Sequence, residues 1–229
     1  MLSELKFLGS IMSSFEHITG ADRLIQQNVD GEVGSIITST SSEFTYTTPD
    51  GHRVTLTGSF TYSVSGAAPD GGTISSIDYD LAGDGNTDFQ ISYTTPVAVS
   101  SDFFASGDDL YWQTVLEGVD THTLNATGSN PSEYSADGED ANTVSLLLAS
   151  DDTITVAGRY SVSGDVDTVF SGFDVEGGND TIIVDAASDT RRIRLYGEAD
   201  TANLNTNVVG GDDVFTDMSA TSLASDIFI

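Results

Sequence analysis

The densest group of side chains capable of holding an ion lies in DLAGDGNTDFQI, residues 80–91. Asp80, Asp84 and Asp88 recur every four positions, and two glycines between them permit a tight loop. Carboxylate oxygens are the ligands that Ca²⁺ prefers in proteins. The spacing therefore predicts a calcium site in a hairpin whose second strand begins after Asp88. A hairpin that holds no ion is the alternative interpretation.

This D-x-x-G-D-G-x-x-D pattern resembles the calcium hairpins of FG-GAP-type repeats. The resemblance implies that the three carboxylates and the backbone carbonyl at Asn86 surround the ion. Ala82 stands where those repeats often have an acid or an amide. One ligand fewer implies weaker binding.

Aspartates also recur in Gly/Asp-rich fragments of the C-terminal half, each of which is typical of a turn that leads into a strand. The fragments are SDDTI (150–154), GDVDTVF (164–170), GGNDTI (177–182) and GGDDVF (210–215). With Asp200 filling the longest gap, their aspartates are separated by 15, 13, 20 and 13 residues. This recurrence predicts stacked coils of about 15 residues around a shared core. A weaker similarity relates residues 115–124 to 147–156, at an offset of 32. The predicted metal-ligating aspartates of the series are Asp152, Asp167, Asp180 and Asp213.

Two of these fragments resemble the calcium-binding nonapeptide G-G-x-G-x-D-x-U-x of RTX, or haemolysin-type, proteins, in which U is a large apolar residue. The resemblance implies a parallel β-roll in which aspartates bridge Ca²⁺ between successive turns and U fills the core. No fragment has the full signature, so the repeats are degenerate. The positions that match G, D and U are Gly178, Asp180 and Ile182, then Gly211, Asp213 and Phe215; Asp152 with Ile154 and Asp109 with Tyr111 match D and U only.

The last four residues, Asp226 to Ile229, resemble the extreme C-terminus of many substrates of type I secretion. That route implies export without a cleaved N-terminal signal, and an extracellular or cell-surface location. The first residues agree, because Gly9 and Ser10 interrupt a short apolar stretch that lacks a cleavage site. A final edge strand that points into the core is the alternative for the last four residues.

The chain is strongly acidic, with 36 acidic and 7 basic residues and a net charge of −29. Such a chain repels phosphate, so nucleic acid and anionic membranes are poor partners. No segment approaches the length of apolar residues that spans a bilayer. Aspartate outnumbers glutamate 27 to 9, which favours turns and Ca²⁺ ligands over acidic helices. An acidic coat of the kind found in salt-adapted proteins is the alternative.

The pattern of apolar residues predicts an all-β chain in three parts. Residues 1–28 are expected to form a short helix or a loose arm, because apolar residues recur there at helical spacing up to Phe15. Alternating apolar and polar residues, with turns at 47–53 and 68–72, predict a sandwich-like β-meander over 29–100. Residues 101–229 are expected to form the RTX-like β-roll, a β-solenoid, after two short helices within 96–118.

Catalytic motifs are absent from the sequence. His17, His52 and His122 are isolated, and neither an H-E-x-x-H zinc motif nor a G-x-S-x-G nucleophile motif occurs. The chain is therefore not expected to be an enzyme, although its many acids leave an unrecognised carboxylate pair open. Tyr111 and Trp112 are interpreted as core residues, with an exposed sugar-stacking platform as the alternative.

Three of the six arginines are clustered, as Arg191, Arg192 and Arg194. In a strand, Arg192, Arg194 and Tyr196 would share one face, with Leu195 on the other. A basic stripe on so acidic a molecule predicts a contact with the acidic face of another copy. Pairing within the chain, with Asp185, Asp189 or Glu198, is the alternative.

Together these patterns predict a secreted, calcium-binding structural protein that assembles with itself into an extracellular filament, surface layer or biofilm matrix. The alternative is a calcium-assisted carbohydrate-binding adhesin module, in which Tyr111, Trp112 and the 80–88 loop contact a cell-surface polysaccharide.

Overall fold

The computed structural model describes most of the N-terminal half from residue 31 onward and a series of shorter segments elsewhere. The described residues are 14–17, 31–104, 111, 115–116, 121–125, 132–136, 140–141, 146–148, 151–157, 160–169, 171, 174–184, 194–197, 199–202, 208–217 and 226–228.

The described chain is almost entirely β-structure, which confirms the all-β prediction. Its first six strands are β1 (Ser14–His17), β2 (Ser35–Ser39), β3 (Glu43–Thr47), β4 (Arg53–Thr61), β5 (Gly71–Asp80) and β6 (Phe89–Ala98). Strands β2 to β6 pair antiparallel in chain order, as a meander. The predicted turn at 47–53 joins β3 to β4, where Thr48 and Gly51 are linked by a backbone hydrogen bond of 3.0 Å.

Shorter strands follow after a 3-10 helix at Ser101–Phe104. They are β7 (Thr121–Asn125), β8 (Ser132–Ser135), β9 (Asp140–Ala141), β10 (Leu146–Leu148), β11 (Thr153–Ala157), β12 (Tyr160–Ser163), β13 (Val166–Val169), β14 (Asp174–Glu176), β15 (Thr181–Val184), β16 (Arg194–Tyr196), β17 (Ala199–Ala202), β18 (Val208–Val209), β19 (Val214–Asp217) and β20 (Asp226–Phe228).

These strands form parallel ladders in four sheets, to which the chain contributes in a fixed order. Strands β7, β8, β9 and β10 each begin one ladder, and β11 to β14 then join the same four ladders in the same sequence. Strands β15 to β18 repeat the circuit, and β19 and β20 start the next one. Each circuit therefore adds one layer to every sheet.

The layer repeat is about twice the predicted coil. Asp152 and Asp180 lie in adjacent layers and are 28 residues apart, and Asp180 and Asp213 are 33 apart. The predicted 15-residue coil is wrong, because one circuit contains four strands and Asp167 lies in β13, on a different sheet from Asp180. The offset of 32 is confirmed, since Thr121 is in register with Thr153.

Strand β1 joins the meander to the first parallel ladder. It pairs antiparallel with β6 and parallel with β7, so that one ten-stranded sheet runs from β19 to β2. A short helix or a loose arm was expected here. Residues 14–17 instead form a strand, because both neighbouring strands offer them backbone partners in register. The rest of the predicted N-terminal arm lies outside the described residues. The three-part division of the chain stays a prediction.

One hydrophobic core extends through both parts of this sheet. It contains Phe44, Tyr46 and Leu56 of the meander together with Ile154 and Ile182 of the parallel ladder. Such side chains each contribute about 1.5–3 kcal/mol when fully buried. No helix within the described ranges is long and apolar enough to cross a membrane.

Residues of the predicted helical region 96–118 cover the meander. Residues 111, 115 and 116 are helical and buried. The Tyr79 and Tyr111 hydroxyls are 2.6 Å apart, and the Tyr93 hydroxyl donates a 2.6 Å hydrogen bond to the Val115 carbonyl. Burial raises the pKa of all three phenols above the ordinary value. The Tyr111 prediction is confirmed, because this ring belongs to the core.

The raised pKa of these tyrosines makes the fold sensitive to alkali. The folded state keeps these phenols protonated at a pH at which the unfolded chain loses their protons. The stabilisation that the buried phenols contribute is therefore complete below about pH 10, the ordinary pKa of tyrosine, and is lost as the pH rises above it. We expect the free energy of unfolding to fall by about 1.4 kcal/mol per pH unit for each such tyrosine. Urea unfolding at a series of pH values measures this slope. A Tyr79→Phe/Tyr111→Phe variant should reduce it, and an unchanged slope would contradict the prediction.

The backbones of β4 and β5 approach closely at Gly72. It has a φ of 111°, and a Cβ there would overlap the Ser59 carbonyl oxygen. We expect Gly72→Ala to lower the free energy of unfolding by about 2 kcal/mol or more. Gly51→Ala is the matched control, since Gly51 has a φ of 93° and no atom within 4 Å of an added Cβ. Gly51→Ala therefore measures only the cost of placing alanine in a left-handed backbone conformation, which is about 1 kcal/mol. Equal losses in chemical denaturation would show that the close approach is unimportant.

Candidate functional site

The loop between β5 and β6 is closed by its own carboxylates. Asp80 Oδ1 accepts the Asp84 N–H at 3.2 Å, and Asp80 Oδ2 accepts the Gly85 N–H at 2.8 Å. Asp88 Oδ2 accepts the Leu81 N–H at 2.8 Å. Gly85 has a φ of 90°, a left-handed conformation that glycine adopts without strain. The three predicted ligands thus belong to one compact loop.

Asp84 differs from Asp80 in its exposure. Asp80 is buried, whereas Asp84 lies at the surface and its Oδ1 accepts the Asn86 N–H at 2.9 Å. The backbone N–H of Asn86 lowers the pKa of the Asp84 carboxyl. Asp84 therefore stays ionised to a lower pH than an ordinary aspartate, and the loop presents a negative charge to solvent.

Next to this loop, the polar face of the meander carries an open pocket of about 190 Å³. The pocket lies between strands β4 and β5 and the loop, and its wall is polar. It is lined by Arg53, Thr55, Asp78, Asp80, Gly85, Asn86 and Thr87. Asp80, Gly85, Asn86 and Thr87 belong to the predicted calcium loop. Arg53, Thr55 and Asp78 carry no motif, because the pairing of β4 with β5 brings them to the pocket.

The aspartates of the Gly/Asp fragments form a ladder at the start of the first parallel sheet. Asp180 Oδ1 accepts the Asp152 N–H at 2.9 Å, and Asp213 Oδ1 accepts the Asp180 N–H at 3.0 Å. The Asp152 and Asp180 carbonyls accept N–H groups from the next layer at 2.7 Å. We call Asp152, Asp180 and Asp213 the inner ladder. The Asp180 and Asp213 carboxylates each bind the backbone of the layer before them.

An outer ladder, Asp151, Asn179 and Asp212, lies beside the inner one and is exposed. Asp151 Oδ1 accepts both the backbone N–H and the side-chain Nδ2–H of Asn179, at 2.7 and 3.0 Å. Asn179 Oδ1 accepts the Asp212 N–H at 2.8 Å. The amide thus separates two carboxylates that would otherwise be adjacent like charges.

Two glycines, which have no side chain, make room for the carboxylates of the inner ladder. A Cβ on Gly164 would overlap Oδ2 of Asp180, and a Cβ on Gly197 would overlap Oδ2 of Asp213. These glycines follow β12 and β16, one layer apart in the second parallel sheet. The sequence analysis did not identify these glycines. The pattern that could have revealed them is a glycine directly after each of these two strands, in S-V-S-G and R-L-Y-G.

His122 lies at the first layer of the inner ladder. Its ring is buried, and Nε2 is 3.2 Å from Asp152 Oδ1. In register it stands beside Ile154, at a position where later layers have Ile182 and Phe215. The sequence left His122 isolated, because the carboxylate that it meets comes from the next circuit of the chain.

The predicted metal ligands are all aspartate carboxylates. Their donor set is oxygen only, the chemistry that Ca²⁺ prefers. Among the described residues, no group of three or more His, Cys, Asp or Glu side chains is arranged to hold a metal ion. The inner ladder supplies one carboxylate per layer, and the loop carboxylates bind loop N–H groups. Asp167 lies in β13, and its side chain is outside the described part. Calcium binding stays a prediction.

The arginine cluster is described only in part. Arg194 begins β16, in register with Asp226 of β20 and Ser161 of β12. Arg191 and Arg192 lie outside the described residues, so their subunit contact stays a prediction. Leu195 and Tyr196, predicted to lie on opposite faces of the strand, are both buried.

Asp226 to Phe228, part of the segment that resembles a secretion signal, forms β20 beside β16. Type I secretion stays a prediction. Trp112 lies outside the described residues, and with Tyr111 buried the alternative interpretation, an aromatic platform, loses one of its two rings.

The chain matches no protein-family model, no curated protein and no solved structure. The candidate sites therefore rest on their geometry alone.

The inner ladder predicts an asymmetry between two substitutions of Asp180. Asp180→Asn keeps an oxygen that accepts the Asp152 N–H, whereas Asp180→Ala leaves that buried donor unpaired. We expect the alanine variant to be about 1–3 kcal/mol less stable than the asparagine variant. Asp151→Ala, on the exposed outer ladder, is the control and should cost less. Urea unfolding in EGTA at neutral pH measures all three. Equal stability of the two Asp180 variants would contradict a structural role for the ladder.

Proposed function

We propose that this chain is a secreted structural protein that assembles with its own copies into an extracellular filament, surface layer or biofilm matrix. The proposal assigns it no catalytic activity. The single observation that carries it is the fixed circuit of strands through four parallel sheets. We interpret this architecture as a four-sided β-solenoid, a degenerate relative of the RTX β-roll, in which each layer templates the next.

The edges of the ten-stranded sheet support self-assembly. Among the described strands, β2 ends the sheet on one side and β19 on the other. A strand at a sheet edge presents unpaired N–H and C=O groups that can pair with another chain. Ile37 of β2 and Val214 of β19 are both 52% exposed. Pairing of two different edges does not close on itself, so it produces an open fibre.

We further propose that Ca²⁺ controls this assembly. Copies with a net charge of −29 repel one another, and the exposed carboxylates Asp84, Asp151 and Asp212 contribute to that field. Divalent cations bound to such groups would lower the repulsion, and they are abundant outside the cell. In the inner ladder, by contrast, Asp180 Oδ1 and Asp213 Oδ1 each already accept a backbone N–H. Calcium is therefore assigned first to the exposed acids of the loop and the outer ladder.

A calcium titration tests this proposal. We expect the purified chain to remain in the supernatant with EGTA and to sediment with millimolar Ca²⁺ at constant ionic strength, and electron microscopy of the pellet should then reveal fibres or sheets. An Asp84→Asn/Asp151→Asn/Asp212→Asn variant should need more Ca²⁺ to sediment.

Asp50→Asn, an exposed carboxylate in the β3–β4 turn, is the matched control for removal of charge. If Asp50→Asn raises the Ca²⁺ concentration needed for sedimentation by the same amount, the loss of negative charge alone explains the effect, and the loop and outer ladder have no specific role. A monomer that does not respond to Ca²⁺ would contradict the proposal as a whole.

A second candidate function, a carbohydrate-binding adhesin module, is favoured by the polar pocket beside the loop. It does not require the aromatic platform, because the pocket lining is made of charged and polar side chains.

A further inference from the structure

Arg53 is the cationic member of the pocket lining. It is half-buried at the start of β4, across from Asp80 in the register of β4 and β5. Within the described part of the chain, its guanidinium makes no ion pair and no hydrogen bond. On a chain with 36 acidic residues, an arginine in that state is unusual. Its five N–H donors are available to a ligand.

The two neighbouring carboxylates are already engaged. Asp80 accepts loop N–H groups at both oxygens. Asp78 Oδ1 accepts a hydrogen bond from Gln90 Nε2 at 2.5 Å. Each can accept further hydrogen bonds, because a carboxylate has about four acceptor positions. The pocket therefore offers strong donors and strong acceptors within one small volume.

This combination of charges selects the class of ligand. An anion would meet Asp78, Asp80 and the field of an acidic molecule, and a simple cation would meet Arg53. A neutral polyol avoids both penalties, because each of its hydroxyls donates and accepts a hydrogen bond. Thr55, Asn86 and Thr87 add hydroxyl and amide partners of the same kind. A volume of about 190 Å³ is of the order of one sugar ring.

We propose that this pocket binds a single neutral sugar unit, with Arg53 donating to adjacent hydroxyls and Asp78 accepting from them. The proposal specifies the ligand of the second candidate function and is independent of calcium-dependent assembly. The loop that holds Asn86 and Thr87 is closed by hydrogen bonds from its own N–H groups to Asp80 and Asp88. Binding should therefore persist in EGTA.

The test is a titration of the ¹⁵N-labelled chain in EGTA, followed by NMR. The probes are the methyl glycosides of glucose, galactose, mannose and N-acetylglucosamine at about 10 mM, with glucuronate and glycine as charged and zwitterionic comparisons. At least one neutral glycoside should shift the amide signals of Thr55, Asn86 and Thr87. Arg53→Gln should weaken its binding at least about tenfold, because charge-assisted hydrogen bonds are lost.

Thr57→Ala is the matched control, since Thr57 lies two residues further along β4 than Thr55 and outside the pocket lining. It should bind sugar as the wild type does. Tighter binding of glucuronate or glycine than of every neutral sugar would overturn the proposal, as would the absence of any shift or an Arg53→Gln variant with unchanged affinity. Sedimentation of Arg53→Gln with Ca²⁺ reports assembly separately, so failure of one proposal is distinguishable from failure of the other.

Discussion

Hydrogen bonds from backbone N–H groups to buried carboxylates govern the corner of the first parallel sheet. A buried carboxylate without partners is costly, yet Asp152 and Asp180 are both almost fully buried. Each accepting oxygen at Asp180 and Asp213 binds the amide of the preceding layer, at 2.9 and 3.0 Å. The ladder thereby fixes the register between layers, and the strands that follow it inherit that register. The same contacts require glycine at 164 and 197.

The loop beside β5 uses the same interaction locally. Asp80 and Asp88 hold loop amides, as the inner ladder holds amides of another layer. An acidic chain with one lysine has few cations available for its carboxylates. Backbone N–H groups are the donors that every residue except proline supplies. In both candidate sites, backbone N–H groups thus bind the carboxylates. Within the part of the chain that the structure describes, the pocket at Arg53 also offers a cationic side chain that makes no ion pair.

The sequence predicted the elements whose signals are local. The alternation of Phe44, Tyr46, Val54 and Leu56 and the turn at 47–53 were sufficient for the meander, because side-chain period and turn chemistry act over a few residues. Stacking of layers was also detectable, through the offset that relates Thr121 to Thr153. The length of a circuit was not, because strands of two to four residues, such as β9 and β13, have too little periodicity to be recognised. The pocket was missed for a related reason, since Arg53 and Asp78 meet only through strand register.

Strand β1 has a consequence for the order in which the molecule can fold. Residues 14–17 are inserted between partners at 89–92 and 121–123, so the central pairings of the ten-stranded sheet join distant parts of the chain. Pairings of high sequence separation require costly loop closure and form slowly. The meander has only local pairings and can form first, as a template. The parallel layers can then add to it one after another, in the direction away from β1. Each layer therefore depends on the layers before it, and all of them depend on the pairing of β1.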